Sequence, residues 1–240
     1  MKIPPKSIDL AVADPPFGIG YSSALATHGL RMDVLKDKNV LEYHEIPTNE
    51  YPEFTSEWIS KVYRILKETG SMYVFSGWNN LEYVLTSLRK VGFFTQSHII
   101  WKYRFPSWTS RRFASSHYHI IHVTKHQSKY TFNRIENYPQ DVWIIDREFW
   151  SRHTKKTGTK LPRKLVSKIV KFSSNEQDIV FDPFLGSGTS AVAAKQLNRH
   201  FLGFEIMEQT YQFAKQRIEK TKWGSGVTDL TIPYERFFRR

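Results

Sequence analysis

Two loops of related composition each close a short apolar run. Asp14-Pro15-Pro16-Phe17 follows Ile8-Asp9-Leu10-Ala11-Val12-Ala13, and about 170 residues later Asp182-Pro183-Phe184-Leu185-Gly186-Ser187-Gly188-Thr189 follows Asp178-Ile179-Val180-Phe181. Such a run ending in an acid–proline turn reads as a buried parallel strand leaving its sheet, and open α/β sheets place ligands at those strand ends. Either loop alone is a turn signal or a helix start. A third run, Phe201-Leu202-Gly203-Phe204-Glu205, changes the weight of both. It puts an acid about 20 residues beyond the glycine loop, where nucleotide-binding βαβ units hydrogen-bond ribose hydroxyls. Three strand ends are thereby predicted to face one crevice.

Between these landmarks the chain alternates. Phe54, Trp58, Ile59, Val62, Ile65 and Leu66 recur at helical spacing, and Glu68-Thr69-Gly70 is predicted to end that helix before a strand at 71–76. Leu81, Val84, Leu85 and Leu88 form a second stripe that stops at Gly92. Strands are predicted at 95–101, 117–124, 178–182 and 200–205, and helices at 162–173, 188–197 and 208–221. This βα succession, without repeats or low-complexity tracts, predicts one α/β domain spanning 1–240.

Charge points to the partner. Thirty-five Lys+Arg against 23 Asp+Glu give +12, which favours a polyanion. The absence of cysteine excludes disulfides, a thiolate zinc site and ring methylation through a cysteine nucleophile. No metal is called for. No run of about 18 apolar residues occurs and the N-terminus lacks a signal-peptide core, so no membrane association and a cytoplasmic location are expected.

With DPPF at 14–17, ILKETGSMYVF at 65–75, DVW at 141–143, FDPFLGSGTSAVAA at 181–194 and FLGFE at 201–205, the chain resembles the DNA adenine-N6/cytosine-N4 amino-methyltransferases. The motif order is the one in which the catalytic loop precedes the cofactor loop. The resemblance implies a Rossmann-like S-adenosylmethionine-dependent methyltransferase fold: a mostly parallel twisted sheet with helices on both faces, circularly permuted. It implies S-adenosylmethionine as cofactor and duplex DNA as partner, and it allows a homodimer and a cognate restriction endonuclease. Many members open with an extra Gly-Asp strand, whereas this chain opens with Met1-Lys2-Ile3-Pro4-Pro5-Lys6. The alternating segment 227–232 is a candidate to replace that strand beside 200–205.

The chemistry fits these residue types. An exocyclic amine is a poor nucleophile because its lone pair is delocalised into the ring, so both N–H bonds must be held. Asp14 can accept one and the carbonyl of Pro15 the other, in a segment stiffened by the fixed φ angles of Pro15 and Pro16. Phe17 offers a face on which a base turned out of the duplex can stack. On the cofactor side, Gly186 and Gly188 allow close backbone approach, with Ser187 and Thr189 in the same loop, and Glu205 is placed for the ribose. Asp182 orders the loop or meets the ammonium group. By resemblance Phe184 lies near the cofactor, Phe204 and Ile206 flank its adenine, and Lys160 of Thr159-Lys160-Leu161-Pro162 stands in for the family's Lys-Pro element.

Two segments are candidates for DNA recognition. Lys102, Arg104, Arg111 and Arg112 interleave with Tyr103, Phe105, Trp108 and Phe113 in 102–116, where basic groups can contact phosphates and aromatics can stack on bases. The second, 125–160, is basic, contains Asn133 and occupies the place of a short target-recognition insertion. Loop 22–50, with His28, Arg31 and Lys36, is a natural lid. Because Asp-first members of the family mostly modify adenine, the resemblance favours adenine N6. The alternatives are cytosine N4, an RNA or protein-amide substrate, and a catalytically silent DNA-binding subunit.

Overall fold

The computed structural model describes residues 2–18, 46–104, 110–111, 113–148 and 160–226. Its strands are β1 (Ile8–Ala13), β2 (Leu66–Ser76), β3 (Phe94–Lys102), β4 (His117–Thr124), β5 (Val142–Ile144), β6 (Ile179–Asp182) and β7 (His200–Gly203). Its helices are α1 (Tyr51–Ile65), α2 (Leu81–Val91), α3 (Arg163–Ser173), α4 (Thr189–Gln196) and α5 (Glu208–Lys220).

The strands form one sheet in the order β5-β3-β4-β2-β1-β6-β7. β1 runs parallel to both β2 and β6, and β6 parallel to β7. β4 is antiparallel to β2 and to β3, and β3 is parallel to β5, so among the described strands β4 alone runs backwards. The chain steps outward from β1 to β2 in one direction and from β6 to β7 in the other. The reversal between β1 and β6 is the topological switch point that leaves a crevice beyond the strand ends.

Helices cover both faces. Leu165, Val166, Ile169 and Val170 of α3, with Ala193 and Ala194 of α4, pack on Leu10, Val12, Tyr73, Phe75, Ile120 and Val180. Trp58, Ile59, Val62 and Ile65 of α1, with Val84 and Leu88 of α2, pack on Ala11, Ala13, Met72, Val74, Ile121 and Phe181. β1 and β2 feed both cores because successive strand side chains point to opposite faces, which is why these strands read as unbroken apolar runs. α2 stops at Gly92, whose φ of 103° is left-handed.

Two boundaries differ from the sequence reading. The first helix ends at Ile65 and β2 begins at once, with Lys67–Gly70 bulging out: Ile8 pairs with Leu66, yet Leu10 pairs with Ser71. Lys125, almost fully buried, donates to the Leu66 carbonyl at 3.1 Å, and Lys67 pairs with Asp9 at 2.6 Å, so tertiary contacts hold what helical spacing would have continued. The last strand stops at Gly203, two residues early. β5, inside the 125–160 segment, is an added edge strand. Segment 227–232 lies outside the described residues. Among the described residues no helix is long and apolar enough to cross a membrane.

Candidate active site

Asp14 directly follows β1, Asp182 ends β6 and Glu205 lies two residues past β7. Parallel pairing brings all three acids to one edge of the sheet, around the switch point. The predicted convergence of strand ends is what the fold builds.

The catalytic loop is pinned from behind. Asn80, buried at the start of α2, donates from Nδ2 to the Phe17 carbonyl at 2.6 Å and to the Gly18 carbonyl at 3.1 Å. Thr48 also donates to the Gly18 carbonyl, at 3.1 Å. Gly18 has a φ of 65°, and a Cβ there would lie 2.4 Å from Tyr51, so no larger residue fits the turn. Phe17 packs against the core beside Tyr118, with ring centroids 5.7 Å apart. Pro15 is buried and Asp14 and Pro16 are partly exposed.

No donor among the described residues satisfies the Asp14 carboxylate. It keeps a little exposed surface, but the protein packed around it, and secondarily the charge of Asp182, lift its carboxyl to about 7. Asp182 is better supplied. It accepts from the Phe184 N–H at 2.9 Å and from the Ser190 hydroxyl in the first turn of α4. Burial lifts Asp182 to about 6; the bonds from Ser190 and Phe184 oppose the rise, and the charge of Glu205 adds to it.

Glu205 staples the glycine loop. One oxygen accepts from the Gly186 N–H at 2.9 Å and the other from the Met207 N–H at 2.8 Å, which leaves each oxygen further accepting capacity. Gly186 is left-handed at φ 51°. At Gly188 the requirement is proximity as well as φ: a Cβ would meet that of Ala214 in α5 at 3.1 Å. Arg217 of α5 donates to the Ser187 carbonyl, and the Ser187 and Thr189 hydroxyls lie 3.3 Å apart, buried. Phe184 packs on Trp58 and Phe54 of α1, at 5.3 and 5.9 Å between centroids. Phe204 is 47% exposed and Ile206 78%, two apolar side chains left open beside Glu205.

In a chain of net charge +12, three acids share one crevice, and two of them are hard to ionise where they stand. That donor set fits a cationic ligand with hydroxyls and an apolar end, which describes S-adenosylmethionine. Asp182 would face its positive charge, Glu205 its hydroxyls, and Phe204 and Ile206 its ring, with Asp14 left for the second substrate.

Other sequence candidates fall differently. The Lys160 ammonium pairs with Glu148 at 2.7 Å, and Glu148 also accepts from the Arg163 N–H at 2.8 Å, so Lys160 helps to fix the start of α3. Arg104 is paired with Asp146, its Nε donating at 2.9 Å, so a phosphate would compete with that carboxylate for it. Tyr103 belongs to the core under the guanidinium of Arg147. Asn133 serves the end of α3, donating to the Lys171 and Ser174 carbonyls at 3.1 and 2.9 Å. Lys102 and Arg111 are exposed and make no ion pair among the described residues. His28, Arg31, Lys36, Phe105, Trp108, Arg112 and Thr159 lie outside the described residues. Asn80, Ser190, Arg217 and Tyr118 were not singled out from the sequence. Only Ser190 carried a local signal, its place in the first turn after the glycine loop.

The chain is similar to known proteins in sequence and fold. The chain is 31% identical over 241 residues to the type II methyltransferase M.HpaI of Haemophilus parainfluenzae, covering 93% of this chain and 72% of that one. The M1.HpyAVI–SAM complex superimposes with a TM-score of 0.68 at 26% identity, covering 89% of each chain. The cytosine-N4-specific PvuII DNA methyltransferase shares the fold, with a TM-score of 0.71 at 19% identity over 90% of this chain and 81% of that one. The sequence matches the DNA methylase family over residues 8–216, and the chain belongs to that family of S-adenosylmethionine-dependent N6/N4 methyltransferases.

Proposed function

We propose that this DNA methyltransferase modifies the exocyclic N6 of adenine in duplex DNA. The observation that carries the reading is the Asp14 carboxylate: without a donor among the described residues, raised to about 7, and followed directly by the Pro15 carbonyl at the switch point. Two acceptors on adjacent residues suit the two N–H bonds of an amino group. Holding both turns the nitrogen lone pair out of the ring plane and toward the incoming carbon. Phe17 offers its ring to the base plane, and Asn80 fixes the carbonyls behind it, so acceptors and stacking face are held before substrate arrives. S-adenosylmethionine supplies an electrophilic methyl group on a sulfonium. A carboxyl poised near neutrality is matched to taking the proton that the methylated nitrogen releases. Adenine is favoured over cytosine because the loop begins with Asp, as in the adenine-modifying members of the family.

Incubation with methyl-labelled S-adenosylmethionine and duplex DNA, followed by digestion and mass spectrometry, tests this directly. N6-methyladenine is the expected product, and Asp14→Ala should abolish it while leaving cofactor affinity within about 3-fold. N4-methylcytosine as the sole modified nucleoside would overturn the choice of base. Preferential labelling of RNA or protein would overturn the choice of substrate.

A further inference from the structure

Trp78 is 61% exposed, two residues beyond the end of β2. A single exposed aromatic needs no explanation by itself. This one is tied to the catalytic loop on both sides. Asn80 holds the Phe17 and Gly18 carbonyls, and a Cβ on Gly77 would touch the Phe17 ring at 3.6 Å. β2 is parallel to β1, so the turn leaves the sheet at the edge where Asp14 stands, and Lys102 ends the β3 strand at that same edge. The large ring therefore sits on a short rigid turn next to the residues that receive the target base, and it has no ring or hydrogen-bonding partner among the described residues.

We infer that Trp78 is a positioning residue for base extrusion, inserting into the duplex beside the target nucleotide and filling the stack that the target vacates. This rests on duplex DNA being the substrate. A base cannot leave the helix without cost, and enzymes that bend or open duplexes offset unstacking with apolar wedges. The wedge must stand close to the pocket and must not swing away when the base departs. Trp78 meets both needs, because its backbone is bracketed by Gly77 against Phe17 and by Asn80 bonded to the carbonyls of that loop. Phe17 and Trp78 then divide the work: one receives the flipped base and the other replaces it.

The test compares wild type, Trp78→Ala and Trp78→Phe on two duplexes, one with the target paired and one with the target opposite an abasic site, already loosened. For Trp78→Ala we expect kcat/KM on the paired duplex to fall by about 10- to 100-fold, the worth of one lost stacking contact. On the loosened duplex the loss should be under about 3-fold, since extrusion there is nearly free of cost. Trp78→Phe should recover most of the paired-duplex activity. With 2-aminopurine at the target position, the fluorescence rise on binding should appear with wild type and be much reduced with Trp78→Ala. Equal losses on both duplexes, or no loss on either, overturn the wedge. Cofactor affinity measured on each variant reports folding, and a wild type that methylates neither duplex overturns the substrate reading instead.

Discussion

The cost of holding Asp14 where it stands can be measured as stability. Raising a carboxyl from its ordinary 3.8 to about 7 corresponds to about 4 kcal/mol at about 1.4 kcal/mol per pH unit. Asp14 keeps some exposed surface and lies beside Asp182, so screening and relaxation reduce this to about 2 kcal/mol. The sign follows from linkage: with the folded value above the unfolded one, the folded state is favoured fully below about 4, and that advantage is lost as pH rises through about 7. Asp14→Asn keeps the shape and cannot ionise. Urea unfolding of both proteins at pH 5, 6, 7 and 8 should show the variant gaining on wild type as pH rises, by about 1 kcal/mol across the series, the rest having developed between about pH 4 and 5, and levelling off near 8. Asp182, raised to about 6, titrates in both proteins and largely drops out of the difference. A gap between the two proteins that is the same at pH 5 and pH 8 would refute the reasoning, because the carboxylate would then bear no folded-state penalty. The expected outcome is a site that sacrifices stability for an acceptor ready to be used.

Three further outcomes follow from the same geometry. kcat/KM for methyl transfer should rise with pH through about 7 as Asp14 ionises, and Asp14→Asn should flatten that limb; a pH–rate profile on each protein decides it. Glu205→Ala removes the acceptor from Gly186 and Met207 together, and should weaken S-adenosylmethionine binding by about 1–3 kcal/mol in calorimetric titration, with Glu205→Gln losing less. Lys102→Ala with Arg111→Ala should weaken DNA binding and reduce the slope of log affinity against log salt by about 1–2, whereas Arg104→Ala, already paired with Asp146, should change that slope by less than about half as much.

What the sequence revealed depends on whether the cause was local. β1 and β6 were legible because a strand buried on both faces must be apolar without interruption, and their exits were legible because Asp-Pro and Gly-x-Gly stop a strand in a definite way. The stop of α2 at Gly92 was legible for the same reason. The bulge at Lys67–Gly70 was not, because what makes it is a lysine 59 positions away donating to the Leu66 carbonyl. β5 is three residues long, too short for any period to show. Asn80 anchors a loop 63 positions earlier in the chain, and no pattern around Asn80 announces it. Charge shows the same division most sharply. Arg104, Lys160 and Lys102 look equivalent in the sequence, yet Asp146 and Glu148 take up the first two while Lys102 remains exposed. A net charge of +12 therefore favours a class of partner, and pairing in the fold decides which cations are left to meet it. The acids divide in the opposite sense: Asp14 matters because no donor among the described residues pairs with it, in a crevice where an amine can become its partner.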